Sequence, residues 1–252
     1  MKVGIILRIL AVLALTPGVC QAVIVDYFYT DGTIEDGDVY DIVRVKNNAT
    51  VDVLGGQVSQ LHADDSSTIN FHAGSVGSVG IENAGVFNLE GTLFSDVSMY
   101  SSGAFNINIG AFDGTIRGSG SRISINDGTI NIRDSHISNY TITDIYGGAV
   151  TFNYLGIDRY AILNIRGGDV TFNRSDLGFT FGLSPNATFN VYYSDIIQGG
   201  ATGEIAGYHL LDGSEFMLDQ FTQEEIELIT FVPEPATFVM LALGGILLRR
   251  RK

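Results

Sequence analysis

The amino-acid sequence contains a single cysteine, no tryptophan, four prolines and few basic residues. The one cysteine, Cys20, lies in an N-terminal segment that we expect to be removed. Neither disulfides nor thiolate metal sites are therefore expected in the mature chain. The chain has 14 lysines and arginines against 28 acidic residues. Because nucleic acid binding requires a basic surface, this imbalance argues against nucleic acid as a partner.

Glycine and apolar residues are abundant. The 252 residues include 31 glycines, 45% are hydrophobic and only 17% are charged. This apolar content is enough to bury a core, and the many glycines indicate short strands joined by turns. Between the two ends of the chain only eight basic residues remain, and an acidic surface of this kind is a solvated one.

Residues 1–22 have the features of a secretory signal peptide. Lys2 and Arg8 supply the positive start, an apolar segment follows, and Cys20 and Ala22 fit the small-residue rule for cleavage after Ala22. The apolar segment is too short to cross a membrane as a helix. We therefore expect an N-terminal signal helix that is removed on export.

The C-terminal end carries a short apolar segment followed by basic residues. Ala236 to Leu248 are 13 apolar or glycine residues, about 20 Å of helix against a hydrocarbon core of about 30 Å. Pro235 suits the first position of such a helix. By the positive-inside rule the basic end stays in the cytoplasm, which places the rest of the chain outside.

The residues around this short helix resemble the PEP-CTERM sorting domain. The sorting motif comprises Val232, Pro233, Glu234 and Pro235, and the basic cluster at the membrane comprises Arg249, Arg250, Arg251 and Lys252. In that family, from Gram-negative bacteria that make exopolysaccharide, the membrane enzyme exosortase reads and processes the tail. The resemblance implies that exosortase and the secretion machinery are partners. It also implies transient anchoring in the inner membrane before release to the cell surface or outside. The alternative is an ordinary single-pass anchor.

The middle of the chain is a repeat. Apolar–polar–apolar triplets begin 18 residues apart, and later steps are 20 and 26 residues. Their first residues are Val51, Ile69, Phe87, Phe105, Ile123, Thr143, Leu163 and Phe189. A glycine stands five positions after most of these residues: Gly56, Gly74, Gly110, Gly128, Gly148 and Gly168, with Gly91 one place early. Another apolar residue stands seven positions after: Val58, Val76, Phe94, Phe112, Ile130, Val150 and Val170.

This repeat predicts an all-β fold, a parallel β-helix with rungs of about 18–20 residues. Each triplet has the period of a strand, with its polar middle residue facing out, and the glycine bends the chain towards the next strand. Stacked rungs bury a continuous core that one rung alone cannot. The outward asparagines Asn70, Asn88, Asn106, Asn164 and Asn190 are expected to form a ladder. The alternative fold is a β-sandwich of antiparallel hairpins.

These features divide the chain into five parts. They are the signal peptide 1–22, an N-terminal cap 23–50, the β-helix repeats 51–193, a C-terminal cap and linker 194–231, and the sorting signal 232–252 with its short transmembrane helix. Within the C-terminal cap, Thr222 and Glu225 form a capping box that predicts one short helix.

No catalytic or metal motif is found in the sequence, so we expect no enzyme, cofactor or metal site. The four histidines, His62, His72, His136 and His209, lack the spacing of helical zinc ligands. The acidic run Asp31–Asp41 lacks EF-hand spacing. A polysaccharide-active enzyme would need converging carboxylates, for which Asp113, Asp127, Asp134, Asp144 and Asp158 are the candidates.

We therefore expect an exported surface or matrix protein with a structural or adhesive body and exopolysaccharide as a possible partner. The alternative is a polysaccharide-active β-helix enzyme. Ice binding is a third hypothesis, because some proteins with such tails carry that label. It would need a flat column of threonines, but Thr50 and Thr68 are followed by the non-threonine residues Val86, Ala104 and Arg122.

Overall fold

The computed structural model describes residues 6–11, 23–173, 181–199 and 204–234. In these residues the chain forms a β-solenoid of about eight turns of about 19 residues each. Most coils contribute strands to each of two sheets. The first sheet contains β1 (Ile6–Ala11), β2 (Val23–Phe28), β4 (Val39–Val45), β6 (Gln57–Ala63), β8 (Ser75–Ile81), β10 (Thr92–Phe94), β11 (Asp96–Tyr100), β13 (Ala111–Ser119), β15 (Thr129–Ser138), β17 (Ala149–Phe152), β18 (Leu155–Ile157), β20 (Asp169–Phe172) and β21 (Phe181–Leu183).

The second sheet runs along the other side of the core. It contains β3 (Gly32–Ile34), β5 (Thr50–Val53), β7 (Thr68–Phe71), β9 (Val86–Leu89), β12 (Ala104–Ile107), β14 (Arg122–Ile125), β16 (Ile142–Ile145), β19 (Ile162–Ile165), β22 (Thr188–Gly199), β23 (Glu204–Leu210), β24 (Glu215–Met217) and β25 (Ile229–Pro233). Two short helices lie near the C-terminal end, a 3-10 turn over Leu218–Gln220 and α1 over Gln223–Ile226.

The register between coils confirms the parallel β-helix and excludes the sandwich. The first residues of the eight triplets, from Val51 to Phe189, are consecutive partners in parallel strand pairs. Among the described strands, antiparallel pairs occur only at the two ends of the coil, where β1 meets β2 and where β23 meets β22 and β24. A sandwich of hairpins would require antiparallel pairs throughout.

The core is a column of apolar side chains between the two sheets. The first and third residues of every triplet are buried, as the alternation predicts. Phe71, Phe87 and Phe105 follow one another, with ring centroids 6.0 and 5.8 Å apart. These three neighbouring coils therefore pack their aromatic rings on one another, a contact that adds to the hydrophobic burial.

Phe94 departs from the predicted pattern. Its side chain is 71% exposed, whereas the other residues seven positions after a triplet start are buried. Gly91 comes one residue early in this coil, so Leu93 takes the buried place and pairs with Phe112 of the next coil. The one-residue shift moves Phe94 to the outer face, because neighbouring strand residues point to opposite sides.

The N-terminal region differs from the expected signal helix where the structure describes it. Ile6–Ala11 form strand β1, which pairs antiparallel with β2, so the expectation of a helix is wrong for these residues. The pairing satisfies the N–H and C=O groups at the edge of β2. Parallel pairing between coils begins at Val25, which pairs with Ile42, and in the second sheet at Gly32, which pairs with Val51, so the coil starts within the segment assigned to the N-terminal cap. The cleavage residue Ala22 lies outside the described residues.

The recurring glycines adopt the backbone conformation that their position suggested. All six that stand five residues after a triplet start have positive φ. At Gly148 φ is +84°, and a Cβ there would lie 2.8 Å from the carbonyl oxygen of Gly128 in the preceding coil. A side chain at this corner would be both strained and obstructed.

A small cap closes the C-terminal end of the coil. The capping box of α1 is confirmed: the Thr222 hydroxyl accepts from the Glu225 N–H, and the Glu225 carboxylate accepts from the Thr222 N–H. Asp212 fastens the cap to the last coils, since it accepts a 2.7 Å hydrogen bond from the Gly168 N–H. Burial by itself would raise the pKa of Asp212, but hydrogen bonds from Ser214 and Gly168 outweigh it and hold the pKa below its ordinary value.

Within the described ranges, which omit residues 235–252, no helix is long and apolar enough to cross a membrane.

Candidate functional site

The start of the sorting motif is part of the last coil. Strand β25 pairs in parallel with β22, from Phe189 with Ile229 to Tyr193 with Pro233. The Glu234 N–H then donates a 2.9 Å hydrogen bond to the Tyr193 carbonyl oxygen. The other predicted sorting residues, Pro235 and the basic cluster 249–252, lie outside the described residues.

Aromatic packing holds β25 against the cap. Phe231 stacks on Tyr208 with ring centroids 4.3 Å apart, and Tyr208 lies 4.7 Å from Tyr193. Burial, together with the neighbouring phenol of Tyr193, raises the pKa of Tyr208. The strand that leads into the sorting motif is therefore docked through side chains as well as through its backbone.

Two asparagine ladders run along the outside of the coil. In the predicted ladder the Nδ2 atoms of Asn70, Asn88 and Asn106 donate to the side-chain oxygens of Asp52, Asn70 and Asn88 at 2.8 to 2.9 Å. It resumes where Asn164 donates to Asp144 and Asn190 to Asn164. A second ladder, missed by the sequence analysis, links Asp113, Asn131, Asn153 and Asn173. The repeated Thr-Phe-Asn at 151–153 and 171–173 is the signal that could have found it.

The five candidate aspartates lie on different parts of the coil. Asp113 and Asp134 lie on the neighbouring strands β13 and β15, Asp144 lies on the second sheet, and Asp127 and Asp158 lie outside the strands. The Asp127 and Asp158 carboxylates accept the N–H of the residue that follows each of them, at 2.7 and 2.8 Å. These contacts are those of turn residues.

Arginines approach the aspartates that lie on strands. Asp113 lies 3.2 Å from Nε of Arg133, and Asp134 lies 3.4 Å from Nη2 of Arg117. The Asp144 side chain is only 4% exposed and lies 2.9 Å from Nη2 of Arg122. It was predicted to face out, and it does so, but arginine and asparagine side chains cover it. A buried carboxylate needs such partners.

The four histidines are separated, and their roles differ. His72 Nδ1 lies 3.2 Å from the Glu90 carboxylate, and His209 lies in β23. Burial lowers the pKa of His62, and the Arg44 guanidinium lowers it further, while Asp64 and Glu82 oppose this. Among the residues that the structure describes, no three His, Cys, Asp or Glu side chains are placed to hold a metal ion.

The acidic run Asp31–Asp41 forms turn contacts within the first coil. The Asp31 carboxylate accepts the Thr50 N–H at 2.9 Å, and the Asp38 carboxylate accepts the Glu35 N–H at 2.9 Å. Thr50 and Thr68 are register partners, and their column continues with Val86, Ala104 and Arg122. This column therefore does not form the flat array of threonines that the ice-binding hypothesis requires.

The outer surface of the first sheet carries a groove. It has a volume of about 550 Å³ and is lined by Arg117, Asp134, His136 and Tyr154. Arg117 lies on β13, Asp134 and His136 lie on β15, and Tyr154 directly precedes β18. Sequence analysis did not group them, because Arg117 lies 17 positions before Asp134 and Tyr154 lies 18 positions after His136.

Fold and tail together define the class of protein. The body is a β-solenoid, and residues 231–252 match the family model of the PEP-CTERM protein-sorting motif. The match is to the tail alone and agrees with the resemblance noted in the sequence. It indicates an exported protein, with exosortase processing as the sorting step. No curated protein matches the chain, and no solved structure does.

Proposed function

We propose that this chain is an exosortase substrate held transiently in the inner membrane by its C-terminal segment and then delivered to the cell surface or an exopolysaccharide matrix. There its β-solenoid serves a structural or adhesive role without enzymatic activity. The observation that carries this proposal is the sorting motif at 231–252, joined to the solenoid through strand β25.

The outer surface of the body supports a structural role. Its carboxylates on strands contact arginines, and its asparagines hydrogen-bond from coil to coil. Glycoside hydrolysis needs one carboxylic acid to donate a proton and a second carboxylate to act as base or nucleophile at the same bond. Asp113 and Asp144 each contact an arginine, and Asp127 and Asp158 accept turn N–H groups, which favours structural roles for these four carboxylates.

Fractionation of cells tests the sorting role. The wild-type chain is expressed in an exosortase-bearing Gram-negative host and compared with Glu234→Ala and with a variant in which Arg249, Arg250 and Arg251 are alanine. We expect the wild type to lose its tail and to reach the outside. Both variants should remain unprocessed in the membrane fraction or reach the surface in reduced amount, since each removes a feature that the enzyme or the membrane reads.

Glu224→Ala is the matched control, because Glu224 is an exposed acid ten residues before Glu234 and takes no part in the capping box. It should sort as the wild type does. Unchanged location and mass of the Glu234 and triple-arginine variants would overturn the proposal.

A further inference from the structure

One outward column of the first sheet contains the same three residues twice. Register partners along this column are Arg44, His62, Gly80, Ser98, Arg117, His136 and Gly156. The order arginine, histidine, glycine therefore occurs over three successive coils and again further along the solenoid. The two occurrences provide an internal comparison, because in both the three residues are register partners on neighbouring parallel strands.

The first copy is closed. The Arg44 guanidinium binds Asp64 at 2.8 Å, and the Asp64 side chain is only 3% exposed. His62 packs over Gly80, since a Cβ on Gly80 would lie 2.5 Å from His62 Nδ1. The imidazole thus fills the space that the missing side chain of Gly80 leaves.

The second copy is open. A Cβ on Gly156 would lie 3.4 Å from His136 Nδ1 and 3.5 Å from Cε1 of Tyr154, which are ordinary van der Waals distances. The imidazole of His136 has no hydrogen-bond or ion-pair partner among the described residues, and its side chain is exposed. The space over Gly156 is therefore left as the groove that Arg117, Asp134, His136 and Tyr154 line.

A β-bulge explains how Asp134 reaches the groove. The pairing of β13 with β15 shifts by one residue, so Gly114 pairs with Ile132 but Thr115 pairs with Asp134. Arg133 is the extra residue, and its side chain turns to Asp113. Bulges re-aim side chains in this way. Asp134 and His136 then both face outward, with the buried Ser135 between them.

The groups in the groove suit the hydroxyls of a sugar. Arg117 and Asp134 lie 3.4 Å apart, longer than a tight charged hydrogen bond, and their side chains are 62% and 40% exposed. The guanidinium therefore keeps donors, and the carboxylate keeps acceptor positions, for neighbouring hydroxyls. Tyr154 adds an apolar ring with a polar end, which can pack against a sugar ring.

The charges favour a neutral ligand. Arg117 and Asp134 cancel each other, and the chain as a whole has a formal net charge of −14, which repels polyanions. The groove spans three neighbouring coils, or about 10 Å at about 4.8 Å per coil, so it accommodates a short stretch of an extended chain. We infer that the groove over Gly156 is a binding subsite for a neutral polysaccharide. This inference rests on the proposed surface or matrix role and names the ligand class for it.

Calorimetric titration of the full chain, purified in a mild detergent, tests the inference. The probes are laminarihexaose, mannohexaose and cellohexaose as neutral glycans, with a galacturonate hexamer as the acidic one. We expect saturable binding of at least one neutral probe and weaker or no binding of the acidic one. Tyr154→Ala and Arg117→Ala should each weaken binding at least tenfold, and Gly156→Leu should abolish it by filling the groove.

His62→Gln in the closed copy is the matched control and should bind within twofold of the wild type. Thermal melting of every variant identifies folding defects, and Arg117→Ala, at an exposed position, is the variant that should retain the wild-type fold. The inference is overturned if no neutral probe binds, if the acidic probe binds more tightly, or if folded Arg117→Ala and Gly156→Leu bind as the wild type does. Cell fractionation measures location and not sugar binding. A correctly sorted chain that binds no sugar would therefore refute this inference and leave the proposed sorting role unaffected.

Discussion

The backbone N–H of Glu234 donates a 2.9 Å hydrogen bond to the carbonyl oxygen of Tyr193. This bond continues the parallel pairing of β25 with β22, so the first residues of the sorting motif complete the last coil. The sorting motif therefore begins at the edge of a folded body. The stability of the pairing between β25 and β22 determines how often the start of the motif separates from the solenoid.

Phe231→Ala should loosen this edge, because it removes the ring that stacks on Tyr208. We expect a loss of about 1–2 kcal/mol of local stability for a partly buried aromatic side chain. Hydrogen exchange at the amides of Ile229 to Glu234 should become faster. Thr230→Ala is the control, since Thr230 is exposed on the opposite face. Equal exchange in the two variants would show that the aromatic stack does not hold β25.

The asparagine ladder should contribute measurably to stability. Asn88 donates to Asn70 and accepts from Asn106, both at 2.9 Å, so Asn88→Ala removes two hydrogen bonds. We expect a loss of about 1–3 kcal/mol in the free energy of unfolding, measured by urea denaturation. Asn126→Ala removes one exposed hydrogen bond, to Asn108, and should cost less than about 1 kcal/mol. A ladder with no energetic role would give equal, small effects.

Gly148→Ala should be strongly destabilising. The residue has φ of +84°, and its new Cβ would lie 2.8 Å from the Gly128 carbonyl oxygen. The backbone strain alone costs about 1–3 kcal/mol. Gly156→Ala is the control, because its φ is not positive and its Cβ would make only ordinary contacts. Thermal melting should separate the two variants, and equal melting temperatures would contradict this account of the corner.

His62 should make folding sensitive to mild acid. Its folded pKa lies below the ordinary value of 6.5, chiefly through burial and then through Arg44, while Asp64 and Glu82 oppose the shift. The unfolded chain then binds more protons. The contribution of His62 to stability is present above pH 6.5 and is lost as the pH falls from there through the folded pKa.

Urea denaturation between pH 8 and pH 5 measures this effect. In His62→Gln the decline in unfolding free energy on acidification should be smaller than in the wild type. Ser98→Ala, at a position of the same outward column without a titratable group, should retain the wild-type decline. If both variants decline as the wild type does, burial of His62 has no influence on folding.

Sequence reasoning predicted the coil and most of its register. The 18-residue spacing placed Val51, Ile69 and Phe87 in one column, and the strand pairing confirms it. It was wrong at Phe94, where a one-residue shift of the glycine exchanged the inner and outer faces. It also expected a helix where Ile6–Ala11 form a strand, because apolar composition alone does not distinguish a helix from a strand that covers a sheet edge.

The groove was not predicted, although all four of its residues are plain in the sequence. Arg117, His136 and Gly156 are separated by 19 and 20 residues, and the bulge at Arg133 breaks the constant step between coils. No fixed spacing connects them in a single sequence. The repeated order of Arg44, His62 and Gly80 becomes visible only when the strands are aligned by their backbone pairing.

The sequence by itself determined the repeating strand, its buried face and the sorting tail, because alternation, glycine spacing and the motif are local patterns. The tertiary structure alone decided which outward side chains meet across neighbouring coils. Those contacts depend on the exact number of residues in each coil, and a single inserted residue re-aims a side chain. His62 closes over Gly80 while His136 leaves the space over Gly156 open, and only the placement of the two side chains shows this difference.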